Sequence, residues 1–361
     1  MTADTIGGVW TYSLELARAL EGSGIEIILA TMGAPLTDAQ RAETKLISGL
    51  EVHSTNYRLE WMEHPWEDVA KAGHWLLALE ERFQPDIIHL NGYAHGALPW
   101  SAPVVVVAHS CVLSWWRAVK REEPPDSLNH YREKVLAGLR GADLIVAPTQ
   151  SMLTEVEAIY GKIRNGRVIH NGQVLSRPEG ASKEAFIFSA GRLWDEAKNV
   201  SLLAAIAPRL SWPVYLAGEQ NHPDGNAGVK HENVNLLGRL SLKEMEAMYG
   251  RASIYALPAR YEPFGLSALE AALAGSALVL GNIPSLREVW GHAAIFASPD
   301  DPEAWEMELK KLIADRTLMS DMATAACRRA VEYSTEKMGS EYLSAYTALI
   351  REKENQVVCN S

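Results

Sequence analysis

Short apolar runs recur along this sequence, separated by segments with the periodicity of amphipathic helices. Runs that are apolar at nearly every position are typical of strands buried on both faces, as in parallel sheets built from strand, helix and strand units. The predicted strands are residues 26–31, 87–90, 104–108, 144–147, 168–170, 186–189, 214–216, 254–257 and 277–280. The pattern therefore predicts an α/β fold.

The length and one polar segment predict two domains. A chain of 361 residues is long enough for two domains of about 150 residues each. Residues 171–183 are rich in Gly, Pro, Ser and charge, and they separate the first five predicted strands from the last four. We place the domain boundary there. Ligands of open parallel sheets bind beyond the carboxyl ends of the strands, so functional residues are expected in those loops.

Charge and cysteine usage limit the partners. With 45 acidic and 34 basic side chains the net charge is −11, which argues against sequence-independent nucleic-acid binding but leaves a local anion pocket open. Cys111, Cys327 and Cys359 are far apart, which favours neither a disulfide framework nor a zinc site. No apolar run is long enough to span a membrane, and the first ten residues do not read as a secretory signal. We expect a cytoplasmic protein.

Two adjacent glycines, Gly7 and Gly8, precede a predicted helix that ends near Gly22. Such glycines let the backbone approach a ligand closely, and a helix N-terminus attracts anions. A tight turn is the alternative. No good strand is predicted before Gly7. The chain has neither a GxGxxG nor a GxxxxGK[ST] motif, so a nicotinamide-dependent oxidoreductase and a P-loop NTPase both lose support.

The segment 258–275 (PARYEPFGLSALEAALAG) is the strongest functional signal. Pro263 disfavours helical geometry at Glu262, which therefore lies in a loop, while Glu270 falls about one turn inside the following helix. A diphosphate binds well at a helix N-terminus, and a carboxylate on each side of it suits the hydroxyls of a sugar nucleotide. The alternative is a pair of solvated acids stabilised by the helix dipole.

Two cations follow the first predicted strand of the second half. Arg192 and Lys198 lie in a loop that leads to a helix, which suits neutralisation of a phosphate leaving group without a metal. Pairing with Asp195 and Glu196 at the surface is the alternative.

His109 ends the apolar run 104–108, at the predicted carboxyl end of a strand. Taken alone, a histidine there fits a satisfied core residue as well as a functional one. The other histidines show no HxH or HExxH spacing, so no metal site is predicted.

Together these segments, with VVVAHS, ADLIVAPTQS, VIHNG and FIFSAGRL, resemble the GT-B glycosyltransferases, specifically the retaining nucleotide-sugar family often called family 4. The resemblance covers most of the chain. It implies two Rossmann-like parallel-sheet domains facing a central cleft. By this resemblance residues 1–172 form the N-terminal acceptor domain and residues 173–335 the donor domain, while residues 336–361 form a helix that packs back on the N-terminal domain.

Carried over by position, the resemblance implies a donor site of two cations and two acids. Arg192 and Lys198 would bind the diphosphate. Glu262 would hold hydroxyls of the donor sugar, and Glu270 the ribose diol. Backbone contacts to phosphate and sugar would come from Phe264, Gly265 and Leu266.

In the N-terminal domain the resemblance assigns Gly7 and Gly8 to a donor-facing glycine loop and His109 to the reacting sugar. The catalytic residues it implies are His109, Glu262, Arg192 and Lys198.

The activity implied is transfer of a hexose, with retention, from a UDP- or GDP-type nucleotide sugar to a saccharide or other hydroxyl acceptor, as in polysaccharide biosynthesis. No tightly bound cofactor, no metal and no nucleic-acid partner are expected. Peripheral membrane contact through Arg117, Lys120 and Arg121, beside Trp115 and Trp116, is left open. A sugar-nucleotide epimerase on the same scaffold and a non-catalytic nucleotide-sugar binding protein are the alternatives.

Overall fold

The computed structural model describes residues 1–174, 182–222 and 233–360, with side chains as far as residue 355. The chain divides into two compact units. The first contains Met1–Arg117, Glu122–Gly172 and Thr335–Ser361, and the second contains Ala118–Arg121 and Gln173–Ser334. The predicted boundary, residues 171–183, lies partly outside the described residues.

Strands and helices alternate along the described chain. The strands are β1 Thr2–Asp4, β2 Ile27–Met32, β3 Leu50–Ser54, β4 Ile88–Leu90, β5 Val104–Val107, β6 Leu144–Ala147, β7 Gly166–Val168, β8 Glu184–Ala190, β9 Val214–Ala217, β10 Asn235–Gly238, β11 Ala252–Leu257, β12 Ala277–Gly281 and β13 Ile295–Ala297. The α-helices are α1 Gly8–Leu20, α2 Asp38–Thr44, α3 Trp66–Phe83, α4 Val112–Lys120, α5 Asn129–Gly141, α6 Gln150–Tyr160, α7 Val200–Ile206, α8 Leu242–Arg251, α9 Leu266–Leu273, α10 Pro284–Trp290, α11 Pro302–Ala314, α12 Arg316–Ala330 and α13 Thr335–Asn360. In the part of the chain that is described, no helix combines the length and apolar character that a membrane span needs.

The strands of the first unit pair in parallel, in the orders β1-β2-β3 and β4-β5-β6-β7. The sequence predicts no strand before Gly7, but Thr2, Ala3 and Asp4 pair with β2. The backbone N–H of Asn91, just after β4, donates to Thr2 Oγ1 at 2.8 Å. This bond links the carboxyl end of β4 to β1.

Helix α13 packs on α1 within the first unit. Tyr12 and Leu16 of α1 share a buried cluster with Met338 and Tyr342 of α13. A Cβ at Gly339 would lie 2.8 Å from Cβ of Ala19, so the helices approach too closely there for a larger residue. The long C-terminal helix is thereby part of the first core.

The second unit has one six-stranded parallel sheet, in the order β10-β9-β8-β11-β12-β13. The chain builds outward from β8 through β9 and β10, and then adds β11, β12 and β13 on the other side. This is the strand order of a doubly wound Rossmann-like sheet, with its switch point between β8 and β11.

Both faces of this sheet are covered. Along β11, Tyr255 and Leu257 belong to one buried cluster, while Ile254 and Ala256 belong to the other. Because successive side chains of a strand point to opposite faces, helices must cover both sides. The apolar run that predicts this strand follows directly from that double burial.

Candidate active site

In the second unit, the loops after β8 and β11 meet at the switch point. The two strands pair in parallel, with Ile254 opposite Ile187, so their carboxyl ends lie at the same edge. Lys198 from the first loop forms an ion pair with Glu262 from the second, and the two side chains are only 15% and 12% exposed. A cation and an acid predicted separately from the sequence therefore belong to one site.

Arg192 is held by its own loop. Its Nη2 donates to Oδ2 of Asp195 at 2.9 Å, and the guanidinium lies 5.3 Å from the centre of the Trp194 ring. Asp195 is buried, and its Oδ1 also accepts from the backbone N–H of Ala197 at 3.0 Å. The pairing with Asp195 that the sequence offered as an alternative is thus present, and it fixes the guanidinium at the strand end. Lys198, in contrast, is paired across the two loops.

Asn199 joins the same two loops, and sequence reasoning missed it. Its backbone has a positive φ of 52°, a conformation that Asn tolerates better than most residues. Its Nδ2 donates to the carbonyl oxygens of Pro258 at 3.0 Å and Pro299 at 2.7 Å, and its Oδ1 accepts from Arg260 at 2.6 Å. These bonds hold the Lys198 loop in place at the edge of the sheet.

The N-terminus of α9 lies in the loop after β11. Gly265 caps it with φ 93° and ψ 57°, and a Cβ there would lie 3.1 Å from Cδ2 of Leu286. Phe264 is buried and packs edge-on against the ring of Tyr333, so its side chain serves the core. Leu266, the first helical residue, is half-buried against the same core. Any ligand contact at these three positions is therefore most direct through the backbone, at the positive end of the helix dipole.

Glu270 is the fifth residue of α9, and Gln173 holds its carboxylate. Its Oε1 accepts a hydrogen bond from Nε2 of Gln173 at 3.0 Å. The phenol of Tyr249 lies nearby: burial raises its pKa well above the ordinary value, and the charge of Glu270 raises that pKa further. Sequence reasoning missed Gln173, because it lies 97 residues from Glu270 and no local pattern connects them.

In the first unit, the carboxyl ends of β1, β4 and β5 carry the predicted glycines and histidine. Gly7, with φ 93°, precedes α1, and Gly8 begins it; both glycines are exposed, and the helix has no side-chain cap. His109 follows β5, and its ring lies 4.4 Å from that of Tyr12, one turn into α1. The carboxyl ends of these strands thus carry both an exposed helix N-terminus, that of α1, and the imidazole of His109.

Asn91 fixes the orientation of the His109 ring. The Nδ2 of Asn91 donates to the carbonyl oxygen of Thr2 at 2.7 Å, and because that oxygen can only accept, Oδ1 must face the other way. Oδ1 lies 2.8 Å from Nε2 of His109 and 3.1 Å from Nε2 of His89. Both histidines therefore donate through Nε2, which leaves Nδ1 of His109 as an acceptor.

Burial keeps both histidines neutral. Desolvation lowers the pKa of His109 to about 3 and that of His89 to about 3. Nδ1 of His89 lies 2.6 Å from the hydroxyl of Tyr346, so the polar chain continues from His109 through Asn91 to helix α13. Sequence reasoning missed Asn91; its place directly after an apolar strand was the available signal.

The basic residues considered for membrane contact are ion-paired. Arg117 pairs with Glu123 at 2.8 Å, and Arg121 pairs with Asp300. Trp115 and Trp116 lie within α4, and both are half-buried. These two arginines therefore already have acid partners, and membrane contact stays a prediction.

Comparison with known proteins places the chain in a family. The model for Glycosyltransferase Family 4 matches residues 6–177, and the model for Glycosyl transferases group 1 matches residues 175–329. Over 367 aligned residues the chain is 26% identical to a glycogen synthase from Mycobacterium tuberculosis, with 90% of this chain and 86% of that protein covered.

Two solved structures share the fold. Sucrose-phosphate synthase from Thermosynechococcus elongatus superposes with a TM-score of 0.81 at 16% identity, covering 97% of this chain and 99% of that one. Anabaena HepE in complex with UDP and glucose superposes with a TM-score of 0.74 at 15% identity, covering 96% and 98%. Two parallel-sheet Rossmann-like domains and two family models that together span most of the chain lead to one conclusion: this protein is a glycosyltransferase with the GT-B fold and belongs to the family 4 type.

Proposed function

We propose that this glycosyltransferase transfers a hexose, with retention and without a metal, from a UDP- or GDP-type nucleotide sugar to a saccharide or other hydroxyl acceptor. The observation that carries the proposal is the set of charges at the switch point of the second sheet. Arg192 and Lys198 come from the loop after β8, and Glu262 and Glu270 from the segment after β11. A cation for a diphosphate, Lys198, and an acid for sugar hydroxyls, Glu262, are then direct neighbours.

The cations act on the leaving group. As the bond between the anomeric carbon and the phosphate oxygen breaks, negative charge grows on the nucleoside diphosphate, and Arg192 and Lys198 stabilise it. In the structure Lys198 pairs with Glu262 and Arg192 with Asp195. The diphosphate therefore enters a site where each cation already has an acid partner, and it shares those cations.

The two acids and the helix end bind the rest of the donor. Glu262 accepts hydrogen bonds from hydroxyls of the sugar, and Glu270 accepts them from the ribose. Backbone N–H groups of residues 264–266, at the start of α9, contact phosphate and sugar. Each bond from a hydroxyl to a carboxylate contributes about 1.5 to 3 kcal/mol, so both acids matter to binding or rate.

Gly7, Gly8 and His109 supply the contacts of the first unit. The N–H groups at the start of α1 favour an anionic group, and the neutral His109 accepts a sugar hydroxyl through Nδ1. The new glycosidic bond joins the acceptor oxygen to the anomeric carbon as the bond from that carbon to the phosphate oxygen breaks, and the departing nucleoside diphosphate takes the proton of the acceptor hydroxyl. The absence of a DxD triplet from the sequence agrees with this metal-free assignment. A cytoplasmic location stays part of the proposal.

The test is incubation of the protein with a panel of nucleotide sugars and a mixture of saccharide acceptors. Formation of a glycosylated acceptor with release of nucleoside diphosphate is the expected result. Conversion of the nucleotide sugar into its epimer would instead identify an epimerase. Binding of the nucleotide sugar without turnover against any acceptor would identify a binding protein.

A further inference from the structure

Gln173 begins the long segment of the second unit, residues 173–334, and its backbone is anchored. Its N–H donates to the carbonyl oxygen of Tyr333 at 3.1 Å, and it forms a parallel bridge with Ser334. Both contacts lie just before helix α13 begins. These two contacts therefore fix the backbone from which the Gln173 side chain extends.

The carboxylate of Glu270 determines how the amide of Gln173 is turned. Since an ionised carboxylate only accepts hydrogen bonds, the group 3.0 Å from Glu270 Oε1 must be the NH2 of Gln173. The carbonyl oxygen Oε1 then points elsewhere. Within the residues that the structure describes, this Oε1 atom is buried and accepts no hydrogen bond.

A buried carbonyl oxygen without a donor costs free energy that an apolar side chain would not. The cost is removed when a ligand brings a hydroxyl to that oxygen. The proposed nucleotide carries two adjacent hydroxyls on its ribose, and Glu270 beside Gln173 is the residue proposed to bind them. The unsatisfied oxygen of Gln173 therefore lies beside the carboxylate that is proposed to bind the ribose diol.

We propose, on the basis of the function above, that Gln173 is part of the ribose site: its Nε2 holds the Glu270 carboxylate, and its Oε1 accepts a hydrogen bond from a ribose hydroxyl of the bound nucleotide. Gln173 and Glu270 then each take one hydroxyl of the diol. The site favours ribonucleotides over 2′-deoxy and 3′-deoxy nucleotides through two residues that are 97 positions apart.

The test is calorimetric binding of UDP and GDP, and of the 2′-deoxy and 3′-deoxy forms of whichever one binds. Gln173→Met keeps the length of the side chain but removes both polar groups, and Gln173→Asn keeps the amide but withdraws it by one methylene. Gln150→Met, at an exposed position at the start of α6, is the matched control. Thermal unfolding of each ligand-free variant checks that it folds.

Wild type and Gln150→Met should bind the ribonucleotide about tenfold more tightly than at least one deoxy form. Gln173→Met should lose about tenfold in affinity for the ribonucleotide and show a much smaller preference over that deoxy form, with unchanged thermal stability. Gln173→Asn should behave in the same way. Wild-type affinities in both Gln173 variants, or equal losses for ribo and deoxy nucleotides, would overturn the inference alone. No binding of any nucleotide by the wild type would overturn the proposed function as well.

Discussion

The side-chain oxygen of Asn91 lies 2.8 Å from Nε2 of His109, and the same amide is anchored to the backbone of β1. This relationship decides which nitrogen of His109 carries the proton. It also gives His109 a neutral partner, so no negative charge in this contact opposes the lowering of the pKa by burial. The imidazole is thereby kept as a neutral hydrogen-bond acceptor.

Replacing Asn91 by Asp should raise the pKa of His109. A carboxylate at this position would favour the imidazolium, opposing the desolvation that lowers the pKa to about 3. NMR titration of the imidazole signals checks this, with Asn91→Ala as the control that removes the acceptor without adding charge. An unchanged pKa in Asn91→Asp would show that the amide does not control the protonation of His109.

The neutral histidine should make stability depend on pH. Because the folded pKa of about 3 lies below the unfolded value of 6.5, the unfolded chain binds more protons between these pH values. The free energy of unfolding should therefore fall as pH decreases from about 6.5 towards 3. His109→Gln keeps an N–H for Asn91 but cannot titrate. Its free energy of unfolding should therefore fall less steeply than that of the wild type, with slopes that differ by up to ~1.4 kcal/mol per pH unit. Identical pH slopes from denaturant titrations of both proteins would contradict this.

The two acids of the α9 segment should have separable roles. Glu270→Ala should weaken binding of the free nucleoside diphosphate by about tenfold or more, since Glu270 is the residue proposed to bind the ribose. Glu262→Ala should leave that binding nearly intact but slow transfer strongly, because Glu262 is proposed to bind the donor sugar and not the nucleotide. Calorimetry and initial rates check this, with Glu133→Ala on the exposed face of α5 as control. Equal losses of nucleotide affinity in both variants would refute the assignment.

Asp195 should act through Arg192. Asp195→Asn keeps only one acceptor oxygen, so either the bond to Arg192 or the bond to the backbone of Ala197 is lost. With the guanidinium less well positioned for the leaving group, kcat should fall about tenfold. Steady-state kinetics and a melting curve separate this effect from loss of folding. An unchanged kcat in a folded Asp195→Asn protein would show that Asp195 does not act through Arg192.

The sequence was most informative where strands are buried on both faces. Strands β8 and β11 lie at the centre of their sheet, so their runs are apolar throughout, and the loops after them could be searched for Arg192, Lys198 and Glu262. Glu262 was placed outside the helix because of Pro263, and the structure has it there. Both inferences rest on features within a few residues of each other in the sequence, namely an apolar run and a proline.

The strands that were missed are short or lie at edges. Strand β3 has no buried residue, and β10 is largely exposed at the edge of its sheet, so neither carries an apolar run. Strands β1 and β13 have three residues each. Asn91 and Gln173 were missed for another reason: their partners are far away in sequence, and only the folded chain brings them together.

The measurement that tests the central claim most directly is the anomeric configuration of the product formed in EDTA from an α-linked nucleotide sugar. Proton NMR of the reaction mixture gives the configuration and the rate together. If Arg192 and Lys198, and no metal ion, neutralise the leaving group at the switch point of the second sheet, the product is α-linked and the rate in EDTA equals the rate with added Mg²⁺. A β-linked product, or transfer that occurs only with Mg²⁺ or Mn²⁺, would contradict the account.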